Sequence, residues 1–93
     1  MDFKIDIGRM TYREAKLEIA SRIKRARLNA ALTQADVAKE LNISQSSYSR
    51  MEQGVTAPDC AQIRVLSGLY QYSILWFLGL PNYFVLVDQS SSS

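Results

Sequence analysis

The sequence contains no histidine and only one cysteine, Cys60. Without histidine there is no imidazole metal ligand, no Ser-His-Asp triad and no histidine general base. One cysteine excludes an internal disulfide and a cysteine-rich zinc site, a usage that suits the reducing cytoplasm. Long apolar runs are also lacking. The longest, Ile74-Leu75-Trp76-Phe77-Leu78, extended by Gly79 and Leu80, is far short of the ~20 residues a membrane span requires. The start, Met1-Asp2-Phe3-Lys4-Ile5-Asp6, alternates apolar and charged residues and has no signal-peptide apolar core. Charge of one sign is scarce as well. Eleven Lys/Arg against nine Asp/Glu leave +2, which does not by itself imply nucleic acid. What is present is a normal globular share of hydrophobic residues, 47% of 93, enough for one small domain. No acid, nucleophile and base converge in any recognisable pattern, so the expectation is a non-enzyme without cofactor or metal.

Read along the chain, Phe3, Ile5 and Ile7 alternate with Lys4 and Asp6 and predict a short strand within an N-terminal extension, residues 1–10. Thr11-Tyr12-Arg13-Glu14 is a capping box that opens a helix reaching about Ala30. Ala15, Ile19, Ile23, Ala26 and Ala30 form its apolar stripe. Thr33 caps a second helix, about Gln34 to Leu41, with Val37, Ala38 and Leu41 on its buried side. Asn42 suits the left-handed conformation that ends a helix. Ser44 caps a third, about Gln45 to Gln53, which Gly54 stops. Pro58 fits the first turn of a fourth helix, continued by Cys60, Ile63, Leu66, Ser67 and Tyr70. Ser73 caps a fifth, Ile74 to Leu78, ended by Gly79 and Pro81. Within residues 81–93, Tyr83-Phe84-Val85-Leu86-Val87 reads as a strand before a polar tail. Cys60 is expected to fill a small apolar position, and Trp76 and Phe77 to lie in the core.

Two short helices joined by a tight turn and packed on a longer one suggest a helix-turn-helix. Residues 33–54, within 14–79, resemble the phage repressor and Cro-type helix-turn-helix family, also called the XRE family. The stretch LTQADVAKELNISQSSYSRMEQG carries the resemblance, and YSILWFLGL resembles the family's fifth helix. The fold implied for residues 11–80 is all-α, a five-helix lambda-repressor-like DNA-binding domain. Two residues depart from the family pattern. Asn42 stands where glycine is common. Tyr48 stands where a β-branched aliphatic residue is usual, so its ring must enter the core and its hydroxyl must find a partner or the surface.

At about 100° per residue, Gln45, Ser46, Ser49 and Arg50 share one face of the third helix, with Tyr48 and Met51 opposite and Ser47 at the border. Those four are the candidate base readers. Gln can pair with adenine N6 and N7, Arg with guanine O6 and N7, and Ser can give or accept one bond. Thr33 and Ser47 can donate to phosphate at helix starts. The resemblance implies that Gln34 bonds a phosphate and braces the side chain at the start of the third helix. It also implies that Arg27 pairs with Glu52, tying the first helix to the end of the third. Arg22 and Lys24 are candidates for peripheral phosphate contacts. Lys39 and Arg64 read as solvated charges.

The expected partner is double-stranded DNA, bound by a homodimer that acts as a transcriptional regulator, in the first instance a repressor. Six of nine aromatic residues fall in 70–84, and the two terminal strands need partners within one chain or between two. An antitoxin or a restriction–modification controller would use the same fold with an additional protein partner. A protein-interaction module that has lost DNA binding is the alternative from another class. Gln45 and Arg50 argue against it.

Overall fold

A computed structural model describes residues 8–81. They form α1 (Tyr12–Asn29), α2 (Gln34–Leu41), α3 (Gln45–Glu52), α4 (Cys60–Tyr70) and α5 (Ile74–Leu78). The strands expected at Phe3–Ile7 and Tyr83–Val87 lie outside the described residues.

Each helix starts where a short polar side chain takes up an orphan backbone N–H. Thr11 and Glu14 form a reciprocal capping box at α1, as do Thr33 and Asp36 at α2. Ser44 and Ser73 cap α3 and α5. The start of α4 differs from expectation. Its cap is Asp59, whose carboxylate accepts from the Gln62 backbone N–H at 2.7 Å while the Gln62 side chain accepts from the Asp59 N–H at 2.9 Å. This two-way box outweighs the preference of proline for a first turn, so Pro58 precedes the helix. Cys60 is then the first helical residue and is exposed rather than packed in an apolar position. The α1 stripe is also shorter than expected. Ala20, Ile23 and Ala26 are buried, but Ala30 is the C-cap and is exposed, because the chain turns away through Ala31 at φ 57°.

The core gathers Ile23 and Ala26 from α1, Val37 and Ala38 from α2, Tyr48 and Met51 from α3, Ile63 and Leu66 from α4, and Phe77 from α5. Asn42 has φ 57° and closes α2 in the left-handed region; Ile43 N–H then reaches back to the Ala38 carbonyl at 3.0 Å. At the other end of α3, Gly54 has φ +76° and lies against α1, where a β-carbon would fall 2.6 Å from Leu17 Cδ2. Only glycine meets both demands.

The third helix is fixed by one carboxylate. Arg27 donates Nε to Glu52 Oε2 at 2.6 Å and Nη2 to Oε1 at 3.0 Å. Gln34 Nε2 donates to Oε1 at 3.2 Å and the Tyr48 hydroxyl to Oε2 at 2.5 Å. Arg27 also reaches the Leu32 carbonyl at 3.0 Å. The Arg27 and Glu52 side chains are 11% and 3% exposed. Burial by itself pushes the Glu52 carboxyl up, but the bonds from Arg27, Tyr48 and Gln34 outweigh it and hold the group below its ordinary 4.5. The bond to Glu52 raises Arg27. Burial, then the bond to Glu52, pushes the Tyr48 phenol far up, so it stays a donor. From α4, the buried Tyr70 hydroxyl has no hydrogen-bond partner among the described residues, and burial pushes it up to about 12.

Two predictions follow from this carboxylate. Arg27→Ala strands Glu52 as a buried, unpaired charge and should cost about 3–5 kcal/mol of unfolding free energy in urea titration; an unchanged midpoint would remove the pair from the account of stability. The second concerns pH. A carboxyl lowered by folding stabilises the protein fully above its ordinary 4.5 and loses that contribution as pH falls through the lower folded value. An NMR titration should therefore place Glu52 below 4.5 in the folded protein, with urea midpoints falling on acidification. A value at or above 4.5 contradicts the geometry.

Candidate nucleic-acid interface

The eight residues of α3 divide into an anchored side and a free side. Tyr48 and Met51 are buried against the other helices, with Glu52 bonded beside them. Gln45, Ser46 and Arg50 are exposed, and Ser49 and Ser47 are half-buried at the margins. The candidate base readers thus lie together on the side away from the core. Gln45 makes no side-chain hydrogen bond and Arg50 no ion pair among the described residues. An amide and a guanidinium therefore stand exposed more than a turn apart on α3 with their donors uncommitted, and no acid of α3 lies between them.

Serine hydroxyls order the start of the helix. Ser44 Oγ accepts from the Ser47 N–H at 3.1 Å, donates to Ser47 Oγ at 2.9 Å and lies 3.3 Å from Ser46 Oγ. At the far end, Gln53 Nε2 donates to Ser49 Oγ at 3.2 Å. Thr33 holds the start of α2, where its oxygen accepts from the Asp36 N–H at 3.1 Å and leaves its own proton to give. Asp36 is an acid in the same turn. Bonds from the Thr33 backbone and hydroxyl hold its carboxyl below the ordinary value, so it stays charged and restricts how closely an anion can approach.

Two placements differ from the sequence reading. The Gln34 amide does not brace the first residue of α3. It donates to Glu52, the last residue, because an ionised carboxylate is a stronger acceptor than a neutral amide. Arg22 is not brought to this group at all. Its guanidinium donates to the Trp76 carbonyl at 3.0 Å, lies 3.4 Å from Glu18 Oε1 and stacks 5.4 Å from the Trp76 ring centre. It ties α1 to α5, beside Gly79, where any β-carbon would collide with Glu18. One neighbour of α3 escaped the sequence reading. Lys16 places Nζ 3.5 Å from the Val55 carbonyl and 4.9 Å from the centre of the Tyr12 ring. The Val55 N–H itself reaches the Arg50 carbonyl at 3.0 Å, so an α1 cation stands next to the exit of α3. The signal that could have revealed it is Gly54, whose required close approach brings α1 to this turn.

Among the described residues no group of three or more Cys, Asp or Glu is set to hold a metal ion, and no helix is long and apolar enough to cross a membrane. What the face offers is hydrogen-bond donors and acceptors of the kinds that read base edges.

Comparison with known proteins agrees with this geometry. A family model described as helix-turn-helix matches residues 23–77, from the middle of α1 to α5. The chain is 35% identical over 63 residues to the HTH-type transcriptional regulator ImmR of Bacillus subtilis (strain 168). The match covers 68% of this chain and 50% of that protein, so the chain spans about half the length of the relative. With α2, the Asn42 turn and α3 all inside the matched span, the chain belongs to the XRE-type helix-turn-helix family.

Proposed function

We propose that this protein is a sequence-specific double-stranded DNA-binding transcriptional regulator that represses by occupying its operator. The observation that carries this reading is the free face of α3, where Gln45, Ser46, Ser49 and Arg50 are presented by a helix whose other side is locked into the core. Placed in the major groove, Gln45 and Arg50 can each make a two-bond contact with a base, and Ser46 and Ser49 can give or accept one. Thr33, Gln34 and Ser47 contact phosphate at the starts of α2 and α3 and set register. Arg22, engaged with Trp76 and Glu18, is left out of this set. One eight-residue helix spans only a few base pairs, so a homodimer on an inverted repeat, with half-sites about 34–36 Å apart, is the arrangement that supplies enough sequence information. The similarity to the regulator ImmR supports a role in transcription.

The test is selection from a random pool of duplex DNA at near-physiological salt. An enriched inverted repeat supports both the function and the dimer. A single enriched half-site keeps the function and overturns the dimer. No enrichment from folded protein overturns the DNA-binding reading. On the selected site, Arg50→Ala should cost about 1–3 kcal/mol and relax preference at one base pair, and Gln45→Ala should do the same at another. Binding to variant duplexes checks both; an equal loss on every sequence would make the residue a phosphate contact.

A further inference from the structure

The Glu52 carboxylate takes bonds from three helices, and its two oxygens do different work. Oε2 accepts from Arg27 Nε and from Tyr48, its neighbour one turn back on α3. Oε1 accepts from Arg27 Nη2 and from Gln34, the first residue of α2. Arg27 alone would already satisfy the charge. Arg27 grips both oxygens and so sets the plane of the carboxylate; Tyr48 adds a second donor to Oε2 from α3 itself, which ties the Glu52 side chain, and with it the Oε1 that Gln34 meets, to its own helix.

The start of α2 and the free face of α3 must meet one duplex together. Recognition groups work only when held to within about 0.5 Å of their geometry. A link that joins the last residue of α3 to the first residue of α2 sets that relation directly. We infer that the Tyr48 hydroxyl is a positioning group for DNA recognition: through Glu52 and Gln34 it sets α3 against α2, so that base contacts and phosphate contacts form in the same register. This rests on the DNA-binding reading above.

The test is equilibrium binding of the full chain to the selected duplex and to a scrambled duplex, at a temperature where each variant is folded by circular dichroism. Wild type, Tyr48→Phe, Gln34→Ala and the double variant are compared. Tyr48→Phe should weaken binding to the selected duplex by about tenfold and leave the scrambled duplex unchanged. The double variant should lose less than the product of the single losses, because both substitutions break one link. Equal weakening on both duplexes, or fully additive losses, overturns the inference. If Tyr48→Phe does not fold, Gln34→Ala alone decides, read as base preference rather than affinity, since losing its phosphate contact weakens binding on every sequence. A changed base preference at pairs read by Gln45 or Arg50 supports the link, and an unchanged preference overturns it. Wild-type protein that binds both duplexes equally defeats the DNA-binding reading itself. A discriminating wild type beside an equally discriminating Tyr48→Phe defeats only this inference.

Discussion

A charge buried at the end of α3 is the constraint on which the rest of the molecule depends. The Glu52 side chain is almost wholly removed from water, and an ionised carboxylate in that position is tolerated only when its lone pairs are filled. Arg27, Gln34 and Tyr48 fill them from α1, α2 and α3. An eight-residue helix is far below the length at which isolated helices persist in water. Its persistence therefore comes from tertiary anchoring, by Tyr48 and Met51 in the core and by Glu52 beside them. The free polar face follows from the same geometry. Residues three and four apart share a side, so burying 48 and 51 turns 46 and 50 outward, with 45 exposed at the first turn of the helix.

The first helix distributes the anchoring. Arg22 and Arg27 lie five residues apart on α1, on different sides of it, and each fastens a different element. Arg22 holds α5 through the Trp76 carbonyl and ring, and Arg27 holds α3 through Glu52. Two of the four cations between 22 and 27 are thus structural. A basic cluster in the sequence is not a basic patch on the surface until its partners are known.

Much of this was legible in the sequence because much of it is local. Thr11, Thr33, Ser44 and Ser73 act on backbone groups three residues away, and Asn42 carries its left-handed conformation within itself. The misplacements are also local, and each is a competition between neighbours. Asp59 with Gln62 outdid Pro58 for the start of α4, which moved Cys60 to the surface, and Ala30 left the apolar stripe when the chain turned at Ala31. The candidate face of α3 was legible from spacing alone. The bonds of Gln34 and Arg22 were not. They join residues 18 and 54 positions apart, and no periodicity reports which of several polar groups a long side chain will meet. Tyr48 lay between these cases. Its need for a buried partner could be stated from the sequence, but the identity of that partner required the fold.

On the proposed DNA-binding reading, the modest charge gives these contacts their weight. Nonspecific affinity for DNA grows with the number of phosphates neutralised and falls steeply with salt. A chain of net charge +2, with Arg22 and Arg27 engaged internally and Asp36 charged at the start of α2, has little of that affinity to draw on. Binding that relies on few phosphate contacts must rely more on base contacts, and base contacts are the more demanding in geometry, since two-bond pairing to a base edge tolerates little displacement. On that reading, a firmly bonded seat for α3 matters more here than in a strongly basic protein, which can bind through its charge and adjust afterwards. The carboxylate that makes the core costly to assemble is what supplies that seat.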